Sequence, residues 1–163
     1  MDFEIHEQTV PLESLSYTLE RNKPMPSLNH GTIQANLIME LAKFRKQFRI
    51  TSETTLELGK WPSVPDISIF PKSEMDLWND ETAVKSAPLC AIEILSPSQS
   101  LNELTTKAKG YFEHGVKSCW IVLPSLANIY VYSSPDDYAI FRATETLVDK
   151  TLDISFSLEE VFK

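Results

Sequence analysis

One acidic residue lies inside an otherwise apolar segment of the sequence. Glu93 is the only charged residue in residues 88–95, which are mostly Leu, Ile, Ala and Cys. An apolar run of this length predicts a strand covered on both faces, where an unpaired carboxylate is strongly unfavourable. Upstream, Pro65-Asp66 begins a second strand-like segment, residues 64–70. Two carboxylates that enter a sheet from neighbouring strands form an all-oxygen pocket, and such a pocket suits Mg²⁺.

Side-chain alternation along the predicted strand decides which residues lie beside Glu93. Successive side chains of a strand point to opposite faces, so residues two apart share a face. The face of Glu93 then carries Leu89, Ala91 and Leu95. A second catalytic residue on this strand is expected two positions from Glu93, and Leu95 stands there.

A lysine on the next element could take that role. Ser100 and Glu103 have capping-box spacing and predict a helix over residues 101–114, with a parallel strand over residues 119–123 after it. Lys107 lies one turn from both Glu103 and Tyr111. Its side chain could reach back to the strand end, or pair with Glu103 at the surface for about 0.3–0.5 kcal/mol. Spacing alone does not choose between these.

A second amphipathic helix is predicted upstream of the acids. Apolar residues recur at helical spacing from about Asn29 to Phe48, and Ser27 or Asn29 is available as the N-cap. His30 and Gln34 lie one turn apart near its inner edge, where they could reach a site or satisfy each other. The basic residues 43–49 at its end are either a solvated helix end or a phosphate contact.

The remaining segments are predicted from their composition. We expect an irregular segment over residues 1–23, a strand over residues 49–58 that carries Ser52-Glu53, a surface loop over residues 71–87, a hairpin of residues 128–133 and 138–142, and a short helix over residues 158–162.

Length and charge limit the classes of function. The 163 residues fit a single domain, and the net charge of −8 means that any contact with nucleic acid must be local. The sequence contains no apolar run of transmembrane length and no signal-like N-terminus, so we expect a cytoplasmic protein with no membrane contact. Cys90 and Cys119 are expected to be buried free thiols.

These residues resemble a known group of nucleases. Pro-Asp followed by Glu-x-Lys is the signature of the restriction-endonuclease-like superfamily, although Leu95 replaces the lysine here. Residues 92–98, Lys107, Tyr111 and residues 120–122 together resemble the Uma family of predicted endonucleases, whose lysine is similarly moved to the helix. Residues 24–31 with Gln34 also resemble its helix entry, and Ser52-Glu53 its next strand. The resemblance runs from about residue 24 to the C-terminus.

This resemblance implies an α/β restriction-endonuclease-like fold, with a mixed, curved sheet and flanking helices. It implies DNA phosphodiester hydrolysis that depends on Mg²⁺ or Mn²⁺. Asp66 and Glu93 would hold the metal with Glu53 as a further ligand, Lys107 would be catalytic, and His30, Gln34, Tyr111 and Ser98 would support the site or bind substrate.

We also expect a homodimer, because cutting both strands of a duplex is simplest with two sites. Two alternatives stay open. One is a catalytically inactive nucleic-acid-binding or protein-interaction module of the same fold. The other is a ligand-binding domain in which Glu93 pairs with a buried lysine.

Overall fold

A mixed six-stranded sheet forms the centre of the described part of the chain, residues 23–163 of a computed structural model. Its neighbour order is β1-β4-β5-β6-β7-β8, and β2-β3 and β9-β10 form two small hairpins. The strands are β1 Phe48–Ser52, β2 Leu56–Leu58, β3 Trp61–Ser63, β4 Ile67–Pro71, β5 Cys90–Ile94, β6 Ser118–Leu123, β7 Asn128–Ser134, β8 Asp137–Arg142, β9 Thr146–Asp149 and β10 Ile154–Ser157. The helices are α1 Leu28–Leu41 and α2 Leu101–Glu113, with 3₁₀ turns at Ala42–Phe44 and Pro124–Leu126.

The unit β5-α2-β6 lies in the middle of this sheet. β5 and β6 pair in parallel, with Ile92 opposite Trp120, whereas β4 pairs with β5 in the antiparallel direction, with Ile67 opposite Ile92. A parallel pair needs a crossover connection, which α2 provides. The predicted strand, helix and parallel strand are therefore confirmed, as is the mixed α/β fold class.

The two faces of β5 are buried against different helices. Ile92 and Ile94 belong to an apolar cluster that contains Ile33 and Leu37 of α1. Ala91 belongs to a second cluster that contains Leu104, Ala108 and Tyr111 of α2. Because side chains alternate along a strand, Glu93 lies on the face of Ala91 and points toward α2.

Serine side chains begin both helices. Ser27 accepts a hydrogen bond from the His30 N–H, and Ser100 accepts one from the Glu103 N–H. The predicted extension of α1 to Phe48 is wrong. The helix ends at Leu41 and a 3₁₀ turn follows, because Phe48 instead pairs with Pro71 at the start of β1. The basic residues 43–49 thus span a turn and a strand start.

The C-terminal part also departs from expectation. Residues 158–162 form turns rather than the predicted helix, and β9 and β10 form a hairpin that the sequence analysis missed. The Leu158 N–H donates to the Glu145 carbonyl oxygen at 3.0 Å, which holds this segment against the start of β9. Five residues are also too few to overcome the cost of helix nucleation.

The predicted surface loop, the β7-β8 hairpin and the free thiols agree with the structure, whereas the strand predicted over residues 49–58 is interrupted and forms β1 and β2 of different sheets. Residues 72–89 contain no helix or strand beyond a single bridge of Val84 to Leu56, and β7 and β8 form the predicted hairpin. Cys90 and Cys119 are buried free thiols. Among residues 23–163, none of the helices is long and apolar enough to cross a membrane. The irregular segment predicted for residues 1–23 lies outside the described residues, apart from Lys23.

Candidate active site

Asp66 and Glu93 lie side by side at one end of the β4-β5 pair. Ile67 is opposite Ile92, so the same register continued by one residue brings Asp66 opposite Glu93. Both are almost completely buried, with exposed fractions of 1% and 2%. Asp66 is fixed to the neighbouring strand, because its Oδ2 accepts the Ile94 N–H at 2.7 Å. The structure thus brings the two predicted acids together in a buried position.

Residues of α2 hold the Glu93 carboxylate. The Lys107 Nζ donates to Glu93 Oε1 at 2.8 Å, and the Tyr111 hydroxyl donates to the same oxygen at 2.6 Å. The Tyr111 oxygen lies 2.6 Å from Ser63 Oγ, and since its proton is directed at Glu93, Ser63 is the donor there. Lys107 and Tyr111 are four apart and project from one face of the helix. Of the two partners considered for Lys107, the structure therefore pairs it with Glu93 and not with Glu103.

A second lysine, which the sequence analysis did not assign to the site, holds Asp66. The Lys23 Nζ lies 2.5 Å from Asp66 Oδ1, 3.0 Å from Glu53 Oε2 and 3.3 Å from the Val64 carbonyl oxygen. Its side chain is only 7% exposed. Lys23 directly precedes residues 24–31, which resemble the family's helix entry, and this position was the available signal in the sequence. No local pattern marks Lys23 as buried.

Glu53 reaches the cluster from the end of β1. Its backbone adopts the left-handed region, with φ of 54°, which costs a non-glycine residue roughly 1–2 kcal/mol. The Glu53 N–H donates to the Asp66 carbonyl oxygen at 3.1 Å, which keeps the residue in this conformation. In this conformation Glu53 Oε2 lies 3.0 Å from the Lys23 Nζ.

His30 and Gln34 connect α1 to the acids rather than to each other. His30 Nε2 lies 3.2 Å from Asp66 Oδ2, and Gln34 Nε2 donates to Glu53 Oε1 at 3.3 Å and to the Asp66 carbonyl oxygen at 3.0 Å. His30 is buried, and its Nδ1 has no hydrogen-bond partner among the described residues. His30 and Gln34, one turn apart on α1, therefore hold Asp66 and Glu53 in place.

Ser98 is the one predicted residue that the structure does not bring to the cluster. It is exposed in the turn before α2, and among the described residues its side chain forms no hydrogen bond with the acids. The neighbouring Gln99 has a structural role instead, since its Oε1 accepts the Ser96 N–H at 3.1 Å.

The two acids have pKa values displaced in opposite directions. Burial raises the pKa of Glu93, and the negative charge of Asp66 adds to this rise, although Lys107 opposes it. Burial would also raise the pKa of Asp66, but the hydrogen bond from His30 and the charge of Lys23 outweigh it and lower the pKa. Burial and the adjacent Glu93 raise the pKa of Tyr111 well above its ordinary value, so the phenol remains a hydrogen-bond donor.

The donor atoms of this cluster suit a hard divalent cation. Asp66, Glu93 and Glu53 supply carboxylate oxygens, which Mg²⁺ and Mn²⁺ prefer, and Glu93 Oε2 accepts no hydrogen bond from the described residues. The present arrangement is not a finished metal site. Within residues 23–163, no three His, Cys, Asp or Glu side chains are placed to hold one ion. Asp66 and Glu53 bind the Lys23 ammonium instead.

Comparison with known proteins shows which family and fold the chain resembles. The family model Uma2, described as "Putative restriction endonuclease", matches residues 3–159. A solved structure from Anabaena variabilis ATCC 29413, described as "a putative nuclease belonging to DUF820", is similar with a TM-score of 0.75 and 25% identity, over 86% of this chain and 83% of that chain. No curated protein matches the sequence. Because the family model spans nearly the whole sequence, the chain belongs to the Uma2 family.

Proposed function

We propose that the protein is a DNA endonuclease that hydrolyses phosphodiester bonds with the help of Mg²⁺ or Mn²⁺. The observation that carries the proposal is the buried pair Asp66 and Glu93, brought together from adjacent strands with Lys107 bound to Glu93. Burying two adjacent acids is costly even where lysines pair with them, which indicates a functional use for the pair. The family and its nuclease-like neighbour support phosphodiester hydrolysis as that use.

Each residue of the cluster then has a distinct task. Asp66, Glu93 and Glu53 would hold the cation, which when bound activates water and stabilises charge on the leaving oxygen. Tyr111 and Lys107 both contact Glu93 Oε1, which fixes the carboxylate and leaves Oε2 for the cation. Lys107 is 20% exposed, so its ammonium can also contact a phosphate oxygen. His30 and Gln34 position Asp66 and Glu53.

A basic surface beside β1 supports DNA as the substrate. Arg45, Arg49 and Lys72, together with Glu74 and several apolar residues, line an open cavity of about 850 Å³ along β1, the strand that leads to Glu53. The net charge of −8 repels DNA from the molecule as a whole, so a local basic surface is required. The backbone phosphates of a duplex are the group that this surface would contact.

Plasmid cleavage tests the proposal. Wild type should nick or linearise supercoiled plasmid in Mg²⁺, and EDTA should stop the reaction. Glu93→Gln should lose at least about 100-fold in rate, because the oxygen ligand and its charge are weakened. Glu103→Gln removes a carboxylate from the exposed side of the same helix and should cleave like wild type. Equal cleavage by Glu93→Gln and wild type would show that the activity comes from another site or another protein.

A catalytically inactive binding module is the second candidate, and one observation favours it. Lys23 and Lys107 already pair with the acids from within the chain, which reduces the need for a bound cation. Plasmid that is bound but never cut in Mg²⁺ or Mn²⁺ would favour this candidate.

The proposal also includes the organisation of the protein. We propose that residues 1–163 form one domain, that two copies assemble as a homodimer to cut both strands, and that the protein acts in the cytoplasm. Free thiols at Cys90 and Cys119 suit a reducing compartment.

A further inference from the structure

The ammonium of Lys23 is bound in the way that a metal ion is bound. Three oxygen atoms surround it, from Asp66, Glu53 and the Val64 carbonyl, at 2.5, 3.0 and 3.3 Å. With 7% of the side chain exposed, the charge is almost removed from water. Burying an ammonium is favourable only where carboxylates compensate it, so Lys23 and the acids depend on each other.

The charged groups of the cluster show what the removal of Lys23 would change. Among the described residues, the cluster has three carboxylates and two ammonium groups. Removing Lys23 would leave three carboxylates and one ammonium group among them, which favours a divalent cation. With Lys23 in place, a divalent cation would be repelled by an ammonium that contacts two of its three proposed ligands.

We infer that Lys23 is an internal cation that occupies the position of the divalent metal, and that its ammonium must leave Asp66 before the metal binds. This inference rests on the proposed function, because it assumes that the acids bind a metal. Lys23 keeps the acids from repelling one another in the metal-free protein. It also limits metal binding to conditions in which the metal outcompetes the ammonium. Lys107 differs, because it contacts one oxygen of one carboxylate.

Calorimetric titration with Mn²⁺ tests the inference. Lys23→Met removes the ammonium and should bind Mn²⁺ at least about tenfold more tightly than wild type. Lys107→Met is the matched control, since it removes the same charge from the same cluster, and should tighten binding by no more than about threefold. Equal tightening in the two variants, or none in Lys23→Met, would overturn the inference and leave the proposed function standing if wild type binds Mn²⁺. An absence of Mn²⁺ binding in wild type and both variants would contradict both.

Amine labelling of wild type provides a test that does not depend on the folding of a variant. An acylating reagent should modify Lys23 slowly in EDTA, compared with Lys43 and Lys163, whose side chains are 63% and 65% exposed. Saturating Mn²⁺ should raise the labelling of Lys23 toward theirs, as measured by mass spectrometry of its peptide. Labelling of Lys23 that stays equally slow in Mn²⁺ would overturn the displacement.

Discussion

Neutralising Asp66 should destabilise the metal-free protein at every pH above the ordinary carboxyl range. Asp66→Asn leaves the buried Lys23 without its nearest carboxylate, and breaking a buried ion pair costs about 3–5 kcal/mol. Glu53 still lies 3.0 Å from the ammonium, so the lower end of that range is expected. The pKa of Asp66 is below its ordinary value of 3.8, so its ionised form stabilises the fold. That contribution is present above pH 3.8 and is lost as the pH falls through the lower folded pKa.

The change in stability caused by neutralising Glu93 should depend on pH in the opposite direction. Burial raises its pKa above the ordinary value of 4.5, so ionised Glu93 costs the folded protein stability. This cost is absent at low pH and grows as the pH rises from 4.5 through the raised pKa. Glu93→Gln removes this cost, because glutamine does not ionise, and its amide oxygen can still accept the Tyr111 hydrogen bond. Lys107 is 20% exposed, so its ammonium can be hydrated instead. The stability of Glu93→Gln relative to wild type should therefore increase with pH.

Urea unfolding in EDTA, followed by tryptophan fluorescence between pH 3 and 8, measures both effects. Glu103→Gln, which removes an exposed carboxylate, should differ from wild type by no more than about 1 kcal/mol over this range. If Asp66→Asn and Glu93→Gln shift with pH in the same direction, the opposite electrostatic surroundings derived for the two acids are wrong.

Three further predictions concern Lys107, the packing of Gly110 against Trp61, and the oligomeric state. Lys107→Ala should stay folded but be less stable, because buried Glu93 loses its cation, and it should reduce plasmid cleavage by about 100-fold. Adding Leu95→Lys should restore part of the cleavage, and undiminished cleavage by Lys107→Ala would contradict the role of Lys107. Gly110→Ala should lower stability by about 1–3 kcal/mol and shift tryptophan fluorescence, because the new Cβ would lie 2.5 Å from Trp61, whose ring contacts Tyr111; an unchanged melt and spectrum would contradict this packing. Light scattering should give the mass of a homodimer, and a monomer at high micromolar concentration would contradict that expectation.

The elements that carry the site could be predicted because their signals are local. The apolar run around Glu93, the Ser100 cap and the apolar strand of β6 are each contained in a few consecutive residues. Alternation along β5 also predicted which face carries Glu93. The choice of partner for Lys107 was not local, since Glu103 and Glu93 were both within reach. Burial of Glu93 against α2 decides it, because a buried acid needs a cation more than an exposed one.

The features that could not be predicted depend on contacts between residues that are distant in the sequence. Lys23 lies 30 residues from Glu53 and 43 from Asp66 in the sequence, so no periodicity connects them. The β9-β10 hairpin is likewise held by tertiary contacts, because Asp149 accepts hydrogen bonds from Ser118 and Trp120 of β6. Segments whose structure is fixed by such partners look irregular when they are considered alone.

Crystals grown with Mn²⁺ would show whether Asp66 and Glu93 bind a metal, because anomalous scattering locates the ion without reference to activity. We expect one anomalous peak bounded by the carboxylates of Asp66 and Glu93, with the Lys23 ammonium moved away from Asp66 Oδ1. A fully occupied Mn²⁺ peak elsewhere, with Lys23 still bound to Asp66, would contradict this expectation.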